Sequence, residues 1–184
     1  IRFAYGVAGT VGSLMQTLLG AHDPRAAPFA IDLGIGLQLT NIARDIAEDC
    51  ERDRFYIPKD WVTPSVIRSA LNSNEQKDIQ AVDQAVTRLL DLASDYYTSA
   101  LSGLCFIPLR NRLAVYFSLT FYRAIGYELR ARGSGAWSQR VRLSLGSKLF
   151  LIVISLPTYF SLTLSSLTQN SPPHHMHAFH KPFH

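Results

Sequence analysis

A chain of 184 residues with 47% hydrophobic and 17% charged residues can bury a core of its own, which excludes disorder throughout. Its 11 Gly, 9 Pro and 2 Cys exclude a collagen-like or disulfide-scaffold protein. Eighteen basic against 14 acidic residues leave a net +4, a mild balance with no Lys/Arg block, so nucleic acid is not an expected partner. Cys50 and Cys105 lack a CxxC pattern and fit two free thiols in a reducing compartment, with a single disulfide as the other reading.

In chain order the elements read as helices. The chain opens without Met or a cationic leader, directly in an apolar run, so further sequence is expected upstream of Ile1. Ala4 to Leu19 is rich in small residues and suits a helix packed closely on a neighbour. Gly20 to Pro28 reads as a loop, followed by a long helix from Phe29 to Glu51. Phe55 to Pro64 is irregular. Thr63-Pro64 is an N-cap and first-turn pair for a short helix through Leu71. Ser73 with Gln76 has the spacing of a capping box and opens a helix to Leu101. Gly103 and Pro108 break the pattern. Leu109 to Arg132 is helical, ended by Gly133, and Gly146 to Leu167 is the last helix, with Pro157 inside it. Phe150 to Ile154 alone is short and apolar enough to be a strand instead. Residues 1–167 are thus expected to form one all-α domain. Residues 168–184, with five His and three Pro, are expected to be a disordered tail.

On the long helix, Gln38, Asn41, Asp45 and Asp49 fall within an arc of about 80 degrees at 3.6 residues per turn. Ile35, Leu39, Ile42 and Ile46 lie directly beside it. Carboxylates at i and i+4 repel each other, and a hard divalent cation reverses that sign. Mg²⁺ takes oxygen ligands and is held by one or two carboxylates plus substrate phosphates. A solvated face of an amphipathic helix gives the same wheel, so the wheel alone leaves both readings open.

The longer string narrows the choice. Gln38, Asn41-Ile42, Arg44-Asp45-Ile46, Asp49, Arg54, Tyr56 and Pro58 occur within LGIGLQLTNIARDIAEDCERDRFYIP. This run resembles the second aspartate-rich signature of the squalene/phytoene synthase family. Upstream, FAYGVAGTVGSLM resembles that family's other signature. Downstream, Tyr122, Trp137, Arg140-Val141, Ser144 and Lys148 resemble its C-terminal pattern. The resemblance covers about residues 3 to 155.

The resemblance implies an isoprenoid synthase-type helical bundle with a central cavity, here without its N-terminal helices. It implies head-to-head condensation of two prenyl diphosphates, geranylgeranyl or farnesyl, through a cyclopropyl diphosphate to phytoene or a squalene-type polyene in carotenoid or terpenoid biosynthesis. Diphosphate departure needs a metal and cationic side chains, and the carbocation needs a dry, aromatic-lined pocket. Carried over by position, Asn41, Asp45 and Asp49 look like Mg²⁺ ligands, with Mn²⁺ as an alternative ion. Gln38 and Arg44 look like substrate contacts, Tyr122 like a catalytic cavity tyrosine, and Arg140 and Lys148 like basic residues that close on a diphosphate. Arg54 and Tyr56 belong to the signature in either a site or a loop-forming role.

The chain departs from the family pattern in two ways. The family's earlier DxxxD helix has no counterpart here: Asp91 and Asp95 share the spacing but lie in the wrong part of the chain and read as a solvated face. Phe3 stands where the family has Tyr, keeping the ring and losing the hydroxyl. An inactive, truncated form is therefore expected. The rival reading is a non-catalytic family member acting as a membrane-associated scaffold. Finally, Leu149 to Leu167 holds no charged residue, close to the length that spans a bilayer core. A spanning helix, a buried terminal helix and an interfacial helix compete. The expectation is a cytoplasmic protein resting peripherally on the membrane, because its substrates and products partition into lipid.

Overall fold

The structure, a computed structural model, describes residues 1–73 and 75–168 together with Pro173 and His175, with the backbone alone at positions 167 and 168. Helix α1 (Arg2–Ala4) passes through a wide π-turn (Tyr5–Gly9) into α2 (Thr10–Leu18). There follow α3 (Ala26–Arg44), α4 (Ile46–Glu51), α5 (Pro64–Asn72) and α6 (Gln76–Ser102). A 3₁₀ turn (Gly103–Phe106) leads to α7 (Leu109–Arg132), and a second (Ala136–Ser138) precedes α8 (Leu145–Thr168). Among the described residues there is no strand, so Phe150–Ile154 is helical and the all-α class holds. The expected disordered tail lies almost wholly outside the described residues. Both cysteines are free thiols.

The boundaries that differ have local causes. Helix α3 begins at Ala26 rather than Phe29, because Asp23 and Pro24 carbonyls accept the Ala26 and Ala27 N–H groups, and Pro28 falls in the first turn, where a missing N–H costs nothing. The long helix is interrupted at Asp45, whose φ of −104° and ψ of 15° set α4 off from α3. Ser73 is the C-terminal residue of α5, its N–H bonded to the Ser69 carbonyl at 2.8 Å. Glu75, in extended backbone, opens α6 instead. The Ser73/Gln76 spacing is thus no capping box, since its serine is already spent ending the previous helix.

Helix α3 is the spine. It packs along α6 on one side, and touches the α1–α2 segment and α7 on others. Ile35, Leu39, Ile42 and Ala43 of α3 are buried against Val82, Ala85, Leu89, Ala93 and Tyr97 of α6. The Tyr97 hydroxyl, buried between the two helices, donates to the Gly36 carbonyl at 2.9 Å and lies 2.7 Å from Thr40 Oγ1. Burial raises the Tyr97 pKa well above the usual phenol value, so the hydroxyl stays protonated and can donate. The α1–α2 segment lies backbone to backbone on α3. A Cβ on Gly34 would stand 2.1 Å from the Ala8 carbonyl oxygen, and one on Gly12 the same distance from that of Ala30.

Helix α8 is different. It packs on α7 alone among the larger contacts, through Tyr159 against Tyr116, the Tyr116 hydroxyl on the Ser155 carbonyl, and Arg112 on Ser166 Oγ. Only 11% of its apolar window is buried, which removes the reading of Leu149 to Leu167 as a buried terminal helix.

The α2–α3 contact generates the first prediction. Gly34→Ala must push the Ala8 backbone away, and overpacking of this kind costs about 1–3 kcal/mol. Thermal unfolding of the purified chain should show a Tm lower by several degrees; an unchanged Tm would mean that the two helices are not in backbone contact.

Candidate functional site

The C-terminal end of α3 and the first turns of α4 carry the predicted acidic residues. The kink at Asp45 does not scatter them. The Asp45 N–H donates to the Asn41 carbonyl at 2.9 Å and the Asp49 N–H to the Asp45 carbonyl at 2.8 Å. The i to i−4 ladder therefore runs through the break, and the three side chains remain on successive turns. Phe3, Gln38, Asn41, Ile42, Arg44, Asp45, Asp49 and Tyr56 line one cavity of ≈ 220 Å³. Phe3 stacks on Tyr56 with centroids 4.4 Å apart, so Tyr56 lines the site and the Phe3 ring forms part of its wall.

Two guanidinium groups hold Asp45. Arg44 forks onto it, Nε to Oδ1 at 2.8 Å and Nη2 to Oδ2 at 2.7 Å, with side chains only 12% and 19% exposed. Arg140 approaches from the α7–α8 connection, its Nε 3.3 Å from Asp45 Oδ1. The Arg44 pKa is raised, first by the hydrogen bond to Asp45 and in smaller part by Tyr122, which lies against it. Asp49 has no such clamp. Burial, then the neighbouring charge of Asp45, raise its pKa above the ordinary 3.8.

The donor set suits a hard divalent cation. Asn41 Oδ1 is buried with no hydrogen-bond partner, an arrangement that costs free energy unless something completes it. Asp49 bears repulsion that a cation would relieve. Among the described residues no three His, Cys, Asp or Glu converge as a metal site. Two carboxylates and one amide oxygen match a Mg²⁺ that keeps waters and shares phosphate oxygens.

Gln38, Asn41, Arg44, Asp45 and Asp49 are thus brought together, with Tyr122 and Arg140 adjoining. Lys148 is not: it is exposed in the first turn of α8 and makes no ion pair among the described residues. Arg54 is exposed and adds a favourable charge near Asp49, after Arg52. Asp91 is exposed and pairs with Arg130 at 2.6 Å, and Asp95 is exposed, as expected for a solvated face.

Two residues escape the sequence reading. Glu48 accepts from Arg140 Nη1 at 2.9 and 3.3 Å. Asp83 of α6 accepts from Ser134 Oγ at 2.5 Å, Gly135 N–H at 3.0 Å and Trp137 Nε1 at 2.8 Å. Asp83 thereby pins the connection that carries Arg140. Glu48 lies inside the acidic run and was visible as a charge, whereas nothing near Asp83 in sequence marks it.

Above the acidic site, Leu33 and Leu37 continue the face of Asn41 and Asp45 by steps of one turn. With Val7, Val11, Met15 and Val115 they line an apolar cavity of ≈ 420 Å³ between α2, α3 and α7. From Leu33 to Asp45 the helix rises about 18 Å. A charged end and an oily groove share one helix.

The fold and this arrangement define a helical protein with an acidic, arginine-clamped site. A family profile, "Squalene/phytoene synthase", matches residues 1–147, and the chain belongs to that family. It is 39% identical over 153 residues to the 15-cis-phytoene synthase of Enterobacter agglomerans, covering 83% of this chain and 52% of the relative. It is 34% identical over 182 residues to the 15-cis-phytoene synthase of Pantoea ananas, covering 99% of this chain and 57% of the relative. To the phytoene synthase of Thermus thermophilus it is 32% identical over 158 residues, 83% of this chain and 52% of the relative. The chain thus spans about half the length of these relatives.

The unclamped carboxylate gives a pH-dependent prediction. Because folding raises the Asp49 pKa, the ionised group disfavours the native state. Stability from this group is full below 3.8 and is lost as pH climbs through the raised native value. In cation-free buffer Asp49→Asn should therefore unfold at a higher temperature than wild type at pH 7, and the gain should vanish on acidification toward 3.8. A variant less stable than wild type at pH 7 contradicts the assignment.

Proposed function

We propose that this chain carries a metal-binding wall of a prenyltransferase active site, which condenses two prenyl diphosphates, geranylgeranyl or farnesyl, head to head through a cyclopropyl diphosphate to a phytoene- or squalene-type polyene. The observation that carries the reading is the unpartnered, buried Asn41 oxygen on one face with Asp45 and Asp49, at the end of an apolar groove. Asn41, Asp45 and Asp49 would hold Mg²⁺, or Mn²⁺ in its place. Bound there, the ion supplies Lewis-acid stabilisation of the departing diphosphate.

The chain's own residues do the rest. Arg44 and Arg140 supply fixed positive charge for the diphosphate oxygens, an environment that needs no reorganisation as charge develops. Gln38 offers an amide to the same oxygens. Leu33, Leu37 and the α2 side chains receive the prenyl chain and keep water from it. The Phe3 and Tyr56 rings line the charged end, where a π-face can stabilise an allylic cation. Tyr122, against Arg44, helps keep the guanidinium in place.

Calorimetric titration with geranylgeranyl diphosphate, with and without Mg²⁺, tests this. Binding should require the ion, and Asp45→Asn should weaken it at least tenfold, the scale for a hydrogen-bonded charged partner. Cation-independent binding, or an Asp45→Asn variant with wild-type affinity, overturns the reading.

We infer further that α8 rests on a membrane. Leu145–Ser166 is long and apolar enough to cross a bilayer, with a mean hydropathy of 1.7. Leu149, Phe150, Val153, Ile154 and Phe160 face outward, and Arg142 and Lys148 flank its start. The serine, threonine and proline content and the attachment to α7 favour an interfacial position at the cytoplasmic surface over a spanning one. Membranes from expressing cells should retain the protein at low salt and release it in alkaline carbonate. Retention after carbonate means a spanning helix, and absence at low salt means no membrane contact.

A further inference from the structure

The position of Glu48 raises a question that the metal-site reading leaves open. It is an acid on the rim of a site built to receive an anion, and it lies between Asp45 and Asp49 without lining their cavity. A carboxylate there disfavours diphosphate unless it serves another group.

That group is Arg140. Its guanidinium is strung between two carboxylates, Nε toward Asp45 at 3.3 Å and Nη1 on Glu48 at 2.9 Å. The contact to Asp45 is an ion pair alone, whereas both contacts to Glu48 are hydrogen bonds. It is also the one that a cation on Asp45 would loosen first, since Asp45 Oδ1 already accepts from Arg44 Nε at 2.8 Å. Glu48 is then the remaining side-chain anchor. Backbone placement comes from elsewhere: Trp137 and Val141, flanking Arg140, are each 1% exposed, and Asp83 pins the Ser134–Trp137 turn. A fixed backbone still leaves a long, rotatable side chain, and its ordering has an entropic cost. Arg140 Nη2 makes no hydrogen bond to Asp45 or Glu48, which leaves it for a third partner.

We propose that Glu48 is a positioning residue that holds the Arg140 guanidinium over the site once the cation takes Asp45, so that Arg140 meets the diphosphate already oriented. The proposal rests on the prenyl diphosphate reading above and assigns Glu48 neither to the metal nor to the substrate.

The sign of one substitution separates this from plain electrostatics. Removing a negative charge beside an anion site should tighten anion binding; removing the holder of Arg140 should weaken it. The probe is inorganic pyrophosphate with saturating Mg²⁺, titrated calorimetrically into the 184-residue chain. Glu48→Gln should bind about tenfold more weakly than wild type, and Arg140→Gln at least as weakly. The double variant should bind no more weakly than Arg140→Gln alone, because Glu48 acts only through Arg140. Glu48→Asp, which keeps the charge, should recover part of the loss. Mn²⁺ titrated without pyrophosphate should bind wild type and Glu48→Gln within twofold of each other. Circular dichroism melting shows whether each variant is folded; if Glu48→Gln is not, the comparison of Glu48→Asp with Arg140→Gln and their double variant decides on the same terms. Tighter or unchanged pyrophosphate binding by Glu48→Gln overturns the proposal, as do multiplicative losses in the double variant. Parallel loss of Mn²⁺ affinity overturns it by making Glu48 a cation ligand. Wild type that fails to bind pyrophosphate with Mg²⁺ removes the larger reading, a result distinct from each of these.

Discussion

Three carboxylates within two helical turns, Asp45, Glu48 and Asp49, set the electrostatic problem that this end of the molecule is built around. On an isolated helix such neighbours repel by a few tenths of a kcal/mol each, and partial burial raises the cost. Arg44 and Arg140 offset two of the three charges, and Asp45 receives both. The charge left over is concentrated at Asp49, whose raised pKa records it. A site with two guanidinium groups already in place and one carboxylate uncompensated would attract a divalent cation, and would become net positive on binding it. Anion affinity would then follow from cation binding instead of preceding it. That order would suit the proposed reaction, in which the leaving group is a diphosphate.

The site's geometry rests on close, specific contacts between its helices. Gly12 and Gly34 let the α1–α2 segment meet α3 backbone to backbone, which sets Phe3 against the cavity that Asn41 also lines. On the opposite side, Tyr97 bridges α6 to the Gly36 carbonyl and Thr40, a buried polar link with every partner satisfied. Asp83 does for the α7–α8 connection what Tyr97 does for α3. Three such fixings bring Phe3, Asp45 and Arg140, from distant parts of the sequence, to one end of the molecule.

Much of this was legible in the chain and part was not. The helical periodicity located the helices, because apolar faces at 3.6-residue spacing are set by burial against neighbours. The residues sharing Asp45's arc were found because a helix wheel needs only local geometry, and the kink at Asp45 left the i to i−4 ladder intact. Helix ends were less legible: Ser73 carries a capping-box spacing but is used to end α5, since the tertiary position of α5 decides where its last turn closes. Asp83 and Glu48 were out of reach for a different reason. Their partners are 51–54 and 92 residues away, and nothing local distinguishes an acid that holds an arginine from an acid that faces water.

The same limit governs α8. Its composition, apolar residues interrupted by serine and threonine around Pro157, weighs against a spanning helix but leaves a core helix and an interfacial helix both open, because composition reports what a helix avoids and not what covers it. The fold supplies the missing term. One side of α8 is occupied by Tyr116, Arg112 and their partners on α7, and these contacts use polar groups, a tyrosine hydroxyl and a guanidinium on a serine. A helix that gives only Ser155 and Ser166 to these contacts and turns Leu149, Phe150, Val153 and Phe160 outward leaves a broad apolar face uncovered. Exposed apolar area of this extent is unfavourable in water at about 25 cal/mol per Å² and favourable against acyl chains. The apolar groove along α3 faces the same demand, since it too needs an oily occupant. A lipid surface would cover the first and deliver the second, so that the proposed membrane contact and substrate capture would be two consequences of one pattern of exposure.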